Sequence, residues 1–168
     1  LMKWLIPFLS TALLASSGEK KPNIVFILAD DLGYGELGCY GQEKIKTPNI
    51  DRLATEGIKF THHYTGAPVC APARCVLLTG RHLGNAEIRS NGDSKNGRKF
   101  PGQWPITAEA VTLAEALKKG GYVSGGFGKW GLGPTDTSGS PIRQGFARFY
   151  GYNCQRNAHS FFPPFLDD

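Results

Sequence analysis

Residues 24–31 read Ile-Val-Phe-Ile-Leu-Ala-Asp-Asp, a continuous apolar run that ends in two carboxylates. An apolar run rich in branched residues, without polar alternation, is typical of a strand buried on both faces of a parallel sheet. The two aspartates follow at the carboxyl end of this strand, the edge at which open α/β sheets bind ligands. The stretch therefore predicts an α/β fold with a functional site directly after its first strand.

The segments that follow alternate between helical and extended patterns. Helices are predicted at 48–56 after the cap Thr47, at 71–79 before Gly80, and at 108–119 after the cap Thr107. Short strands are predicted at 58–60 and 122–126, and the polar span 84–105, with two Asn-Gly turn signals, is predicted to be irregular. This order predicts a mainly parallel sheet flanked by helices.

Length and charge restrict the classes of function. The chain has 168 residues, 40% of them hydrophobic, which is enough for one core of ordinary domain size. Its formal charge of +5 comes from scattered basic residues rather than from one basic face interleaved with aromatic residues. We therefore expect no nucleic-acid partner and instead a preference for anionic substrates.

The N-terminal segment predicts export. Residues 1–17 combine an early lysine, a short apolar run and small residues near Ala15, as a secretory signal peptide does, so the mature chain is expected at 18–168. We expect a periplasmic or extracellular protein without stable membrane insertion, although an N-terminal tether stays an alternative. The start at Leu1 and the lack of a closing element after residue 160 predict a chain truncated at both ends.

Cysteine usage leaves the disulfide pattern undecided. Besides Cys70, the sequence contains Cys39, Cys75 and Cys154, an odd number that cannot all pair within the chain. Cys70 itself stands at a predicted helix start, with Pro72 and Arg74 following in the first turn. Helix amides and a guanidinium there suit an anion. The alternative is a buried free cysteine beside a surface arginine.

The aspartate pair predicts a metal site. At a strand end followed by Gly33, the backbone can turn so that Asp30 and Asp31 both face one cation. Oxygen ligands favour calcium or magnesium, and no tight cluster of cysteine and histidine indicates zinc. The alternative is a turn in which the carboxylates bond to nearby amides.

Three stretches resemble motifs of the sulfatase family. Residues 22–35 are similar to its opening strand, residues 47–54, Thr-Pro-Asn-Ile-Asp-Arg-Leu-Ala, to its next helix, and residues 70–81 to the signature in which the cysteine becomes formylglycine. The resemblance covers the chain from Pro22 to its end. It implies an alkaline-phosphatase-like fold, of which 18–168 would form the N-terminal part of the catalytic domain.

The resemblance also implies the roles of individual residues. Asp30, Asp31 and the modified Cys70 would bind calcium, and Arg74 would steady the formylglycine hydrate. Lys129, in Gly-Lys-Trp, matches the lysine that binds a sulfate oxygen. The alternative for Lys129 is a solvated surface residue.

One more residue has a role by resemblance, and two positions depart from the family pattern. His159 matches a histidine that contacts the bridging oxygen and could act as a general acid, although a surface histidine is the alternative. Ala73 stands where serine is commonest, and Gly131 stands where many members have a histidine that handles the proton of the hydrate.

These roles imply a sulfuric ester hydrolase of the arylsulfatase-like type. A hydroxyl of the hydrate would attack sulfur, and the second hydroxyl would then expel sulfate. The implied partners are an aryl or carbohydrate sulfate ester and the formylglycine-generating machinery. A phosphate or phosphonate ester hydrolase of the same superfamily and a catalytically silent sulfate-binding relative are the alternatives.

Overall fold

The computed structural model describes residues 20–92, 94–95, 98–99 and 103–168, divided into two units at the Leu32–Gly33 bond. The predicted signal segment, 1–17, lies outside the described residues. All helices and strands of the described chain belong to the second unit: α1 (Pro48–Glu56), α2 (Cys70–Thr79), β1 (Ser94–Lys95), β2 (Arg98–Lys99), α3 (Leu113–Lys119), β3 (Gly125–Lys129) and β4 (Arg148–Tyr152). Short 3₁₀ turns connect several of them.

The prediction of a buried strand at 24–29 is wrong. This segment of the N-terminal unit has no strand assignment, and its side chains are exposed, Val25 by 83% and Ile27 by 82%. A strand exists only where a neighbour supplies backbone hydrogen bonds, and the described residues of this unit, 20–32, contain no second strand. The apolar pattern is present, but these residues do not provide the pairing that would turn it into a buried strand.

Strands β3 and β4 pair in parallel, which confirms the α/β class with parallel pairing. Lys129 pairs with Tyr152 at the carboxyl end of the ladder. The strand predicted at 122–126 is displaced, because the observed strand starts at Gly125 and ends at Lys129. A Cβ at Gly151 would overlap the carbonyl oxygen of Gly128, so glycine at this position allows the two backbones to approach and fixes their register.

Helix α2 matches its prediction closely. It begins at Cys70, one residue before the predicted start, and Pro72 lies in its first turn. It ends at Gly80, whose φ of 64° is the left-handed conformation of a glycine cap, and the amide of Gly80 donates to the Val76 carbonyl. The sequence signals at both ends of this helix were therefore sufficient to predict its bounds to within one residue.

Helix α3 begins five residues later than predicted, so Thr107 is not its cap. The true cap is Thr112, whose hydroxyl accepts from the amide of Glu115, while the Glu115 carboxylate accepts from the amide of Thr112. This reciprocal pair is a capping box, which satisfies two N-terminal amides at once. Thr107 instead donates from its amide to Glu87 at 2.8 Å.

Helix α1 occupies the predicted residues, but the predicted strand at 58–60 is absent. Thr47 stands at the N-cap position without a side-chain cap; its hydroxyl accepts from the Gly38 amide and contacts the Asp51 carboxylate at 3.0 Å. Ile58 is 81% exposed and lies in irregular backbone. As at 24–29, no strand partner is present for this segment among the described residues.

The hydrophobic core joins α2 to residues of β4 and of the segment after β3. Ile106 and Leu132 are fully buried, and Cys75 of α2 is 1% exposed. Trp130 packs edge to face against Phe146 at a ring distance of 5.6 Å, and its indole N–H donates to the Gly139 carbonyl. Because Trp130 directly follows β3, this packing holds the end of that strand.

The polar span that was predicted to be irregular contains two short strands. Strands β1 and β2 form a short antiparallel hairpin within 84–105, where no regular element was predicted. The Asn-Gly turn at 96–97 lies outside the described residues, so its predicted role is untested.

None of the helices in the described part of the chain has the length and apolar character to span a lipid bilayer.

Replacing Thr112 with alanine tests the position of the α3 cap. The substitution removes the hydroxyl that caps the helix and also donates to the Gln144 carbonyl at 2.6 Å in a buried position. We expect the free energy of unfolding to fall by about 1–2 kcal/mol. Thr107→Ala is the matched control and should change it by less than about 0.5 kcal/mol. Equal losses in chemical denaturation would contradict the assignment.

Candidate active site

The carboxyl end of β3 brings Lys129 to Cys70. The Nζ of Lys129 lies 3.3 Å from the Sγ of Cys70, although the two residues are 59 positions apart in sequence. Both side chains are partly buried. Lys129 is therefore held against a cysteine at the end of a parallel strand, the edge at which open α/β sheets bind ligands, and is not fully solvated.

His159 belongs to the same cluster. Its Nε2 lies 3.4 Å from the Nζ of Lys129, and it ends a 3₁₀ turn, Asn157–His159, that follows β4. An ammonium group can only donate, so Lys129 is the donor in any hydrogen bond formed at this contact. Lys129 thus connects Cys70 and His159 through two of its three N–H bonds.

The first turn of α2 offers fewer amides than the sequence predicted. Pro72 has no N–H, the amide of Ala73 donates to the Val69 carbonyl, and the amide of Ala71 donates to the side chain of Asn91 at 3.0 Å. Asn91 therefore caps the helix from a distance of 20 residues. The helix start still presents the amide of Cys70 and the positive end of the helix dipole.

Arg74 lies one helical turn after Cys70. Its side chain is only 7% exposed, so the guanidinium belongs to the interior of the structure and not to its surface. Residues four positions apart share one face of a helix, which places Arg74 on the same side as Cys70. Cys70 thus contacts the cation of Lys129 and shares a helix face with Arg74, an arrangement that suits an anionic group.

The predicted acidic pair lies next to the end of the N-terminal unit at Leu32. Asp30 and Asp31 are both exposed and form a turn, and Asp31 has a φ of 61°. This left-handed conformation is rare for residues other than glycine and is best tolerated by asparagine and aspartate. It shows that the backbone does turn between the two carboxylates, as predicted. The metal site that would include Cys70 stays a prediction.

Gly131, which departs from the resemblance, adopts a conformation that suits glycine. Its φ is 87°, and a Cβ there would lie 3.2 Å from both the Cβ and the Oε1 of Gln155. The position therefore disfavours any side chain, histidine included. The space beside the strand end is occupied by Gln155 instead.

None of the other cysteines and histidines of the described chain forms the contacts that join Cys70, Lys129 and His159. None of the four cysteines is in a disulfide, and Cys75 is buried in the core. His62 contacts its neighbour Thr61, and His82 accepts from the amide of Gly84. Their proximity to Cys70 in sequence carries no role in this arrangement.

Sequence reasoning missed Asn91 and Gln155. Asn91 is predicted from the sequence only as part of an Asn-Gly turn, and no neighbouring residue in the sequence indicates that its side chain reaches α2. Gln155 carries no motif of its own. The only signal for Gln155 in the sequence was Gly131. Because glycine has no side chain, another residue has to fill the space that a histidine at 131 would occupy.

Comparison with known proteins places these residues in one family. A family model described as Sulfatase matches residues 22–160. Human arylsulfatase D is 43% identical over 140 residues, which are 78% of this chain and 23% of the relative. Mouse steryl-sulfatase is 38% identical over 163 residues, 90% of this chain and 26% of the relative. The chain thus spans about a quarter of the length of these curated relatives.

Solved structures support the same fold. The structure of Ps i-CgsB in complex with k-i-k-neocarrahexaose is 34% identical, with a TM-score of 0.66 over 79% of this chain and 28% of that one. The phosphonate monoester hydrolase of Agrobacterium radiobacter is 30% identical, with a TM-score of 0.53 over 71% of this chain and 24% of that one. The architecture is therefore part of the alkaline-phosphatase-like fold of sulfatases.

Substituting Asn91 tests its capping of α2. Asn91→Ala removes the acceptor for the Ala71 amide and should lower the free energy of unfolding by about 1 kcal/mol. Asn91→Asp keeps an acceptor oxygen and adds a charge that the helix dipole favours, so it should stay within about 0.5 kcal/mol of the parent. If the alanine and aspartate variants denature at the same urea concentration, the cap is not formed.

Proposed function

The chain belongs to the sulfatase family, and on that premise we propose that the protein hydrolyses a sulfate ester at a site centred on Cys70, Lys129 and His159. One observation carries the proposal. The Nζ of Lys129 lies within hydrogen-bond distance of both the Sγ of Cys70 and the Nε2 of His159. A nucleophile position, a cation and a proton carrier thus meet in one cluster.

The charges of this cluster suit a sulfuryl group. Lys129 would bind one of its oxygens, and the buried guanidinium of Arg74 would add positive charge on the same helix face as Cys70. Negative charge spreads over the sulfuryl oxygens as the ester bond breaks. Donors fixed by a folded structure stabilise that charge without having to reorganise, which is a large contribution to catalysis.

The position of Cys70 fits its conversion to formylglycine. The thiol is in no disulfide, it is partly accessible at a helix start, and Pro72 and Arg74 of the signature are present. When hydrated, the aldehyde supplies two hydroxyls, one to displace the alcohol and one to release sulfate. The formylglycine-generating machinery is therefore a required partner, and Ala73 in place of serine is the only departure within the residues it reads.

The donor chemistry at Asp30 and Asp31 fits calcium. Both carboxylates are exposed on a turn and offer only oxygen ligands, which a hard cation prefers. When bound, the cation would supply positive charge. The residues of this chain would then contribute two of its carboxylate ligands.

His159 is the proposed general acid. Its Nε2 lies 3.4 Å from the Nζ of Lys129, within reach of a substrate that binds this lysine. An anionic substrate that binds Lys129 would draw a proton onto Nε2, which His159 could then donate to the leaving oxygen. Lys129 would keep the imidazole oriented throughout.

The substrate class is an aryl or carbohydrate sulfate ester. Two observations support this range: one curated relative is named arylsulfatase D, and one solved relative was captured with k-i-k-neocarrahexaose. Export through the predicted segment 1–17 would place the enzyme in the periplasm or outside the cell, where sulfated polysaccharides and small sulfate esters are accessible.

A phosphonate or phosphate ester hydrolase is the second candidate. The similarity to the phosphonate monoester hydrolase of Agrobacterium radiobacter favours it, but that similarity is weaker in both identity and TM-score. A phosphoryl group would present the same oxygens with more charge. A silent sulfate-binding relative is the third candidate, and the intact Cys70, Pro72 and Arg74 weigh against it.

Paired aryl esters test the proposed reaction. We expect the protein containing this chain, co-expressed with a formylglycine-generating enzyme, to hydrolyse 4-nitrophenyl sulfate faster than the matching phosphate and phosphonate esters. Lys129→Ala should lower kcat/KM about 10²–10³-fold, as expected for loss of one oxyanion donor, whereas the exposed Lys118→Ala should leave it unchanged. Faster turnover of the phosphorus esters, or only unmodified thiol at Cys70 by peptide mass spectrometry, would contradict the proposal.

The leaving group tests the role of His159. A general acid matters most when the departing alkoxide is basic, so His159→Ala should slow hydrolysis of an alkyl or sugar sulfate about 10²–10⁴-fold. It should slow 4-nitrophenyl sulfate much less, because nitrophenolate leaves without a proton. Equal losses on both substrates would show that His159 binds substrate rather than protonating the leaving oxygen.

A further inference from the structure

A pair of buried glutamines lies next to the proposed site. Gln103 is 1% exposed and Gln155 is 4% exposed. The backbone amide of Gln155 donates to the Oε1 of Gln103 at 3.2 Å, across 52 residues of sequence. Neither residue belongs to a motif, and the reaction as described does not use them.

The backbone of Gln155 starts the turn that carries His159. The amide of Ala158 donates to the Gln155 carbonyl at 3.2 Å, and the amide of His159 donates to the Arg156 carbonyl at 3.1 Å. These bonds form the 3₁₀ turn that ends at His159. Gln103 therefore holds this turn at its first residue, through the amide of Gln155.

The side chain of Gln155 contacts the segment that carries Lys129. A Cβ on Gly131 would lie 3.2 Å from both the Cβ and the Oε1 of Gln155, so the glutamine packs on the backbone two residues after Lys129. That segment continues the parallel ladder, because Trp130 donates to the Tyr152 carbonyl and Gly131 to the Asn153 carbonyl. One residue thus contacts both the strand end and the histidine turn.

The amides of this pair are costly to bury. Gln103 Nε2 and Gln155 Oε1 are both buried and make no hydrogen bond within the described part of the chain. An unsatisfied buried polar atom destabilises the folded state, and a methionine of similar length would avoid that loss. Retaining glutamine at 103 is understandable if the bond from the Gln155 backbone amide to its Oε1 has a function, and retaining glutamine at 155 if its packing against Gly131 has one.

We infer that Gln155 and Gln103 are positioning residues that set the distance between the Nζ of Lys129 and the Nε2 of His159. Gln155 packs against the lysine segment and begins the histidine turn, and Gln103 fixes the backbone of Gln155. The inference deepens the proposed function and rests on it, because it assigns Gln103 and Gln155 to the same site. A small displacement of a proton donor is enough to slow catalysis strongly.

The test uses methionine substitutions in the protein that contains this chain, with formylglycine formed. Gln155→Met and Gln103→Met keep the side-chain length and remove the side-chain amide group. Gln103→Met removes the acceptor of the Gln155 backbone amide, and Gln155→Met removes the Oε1 that packs against Gly131. We expect kcat for an alkyl sulfate to fall about 10–100-fold, kcat for 4-nitrophenyl sulfate to change less than about 3-fold, and KM to stay within about 3-fold. This dependence on the leaving group reports a displaced His159 and is not produced by a general loss of stability.

Gln144→Met is the matched control. Gln144 is also 1% exposed and also has a buried Oε1 without a hydrogen bond among the described residues, but its Nε2 donates to the Thr107 and Ser138 carbonyls, away from Lys129 and His159. It should change thermal stability to a similar extent and leave both kcat values unchanged. If Gln155→Met does not fold, Gln103→Met still tests the inference, because it removes only the acceptor of the Gln155 amide.

Two results would overturn the inference, and they are distinguishable from each other. If His159→Ala loses alkyl sulfate turnover while both glutamine variants retain it, the positioning role is wrong and the proposed function stands. If Lys129→Ala and His159→Ala both retain full turnover, the proposed site itself is wrong, and the positioning role falls with it.

Discussion

The parallel pairing of β3 with β4 is the constraint on which the site depends. Lys129 ends β3 opposite Tyr152, and the chain leaving β4 reaches His159 seven residues later. A register slip of one residue would turn Lys129 to the opposite face of the strand and away from Cys70. The close approach of Gly128 and Gly151 leaves no room for side chains between the strands, so the register and the lysine–histidine contact are fixed together.

Local signals predicted the part of the fold that is determined locally. Helix α2 has proline in its first turn and a left-handed Gly80 after its last, and both ends were predicted to within one residue. Cys70, Lys129 and His159 were identified by resemblance to motifs, and the structure brings their side chains together. Spacing along the sequence could not have shown that Lys129 would contact both of the others.

Most of the failures have a common physical cause, because the interaction partner is distant in sequence. Residues 24–29 have the composition of a buried strand, but a strand needs neighbours, and the described residues of its own unit, 20–32, provide none. The cap of α3 is the exception, because Thr112 and Glu115 are three residues apart and their reciprocal bonds decide between Thr112 and Thr107. The capping of Ala71 by Asn91 and the contact between Gln103 and Gln155 join segments 20 and 52 residues apart, where no local pattern applies.

The central claim is that Lys129 connects the residue at position 70 with His159 around a tetrahedral anion. The most direct measurement is a crystal structure of the formylglycine-containing protein with inorganic sulfate bound. We expect the Nζ of Lys129 to lie within hydrogen-bond distance of a sulfate oxygen and of the side chain at position 70, and His159 Nε2 to contact the same anion. A structure in which Lys129 points to solvent while sulfate binds elsewhere would contradict it.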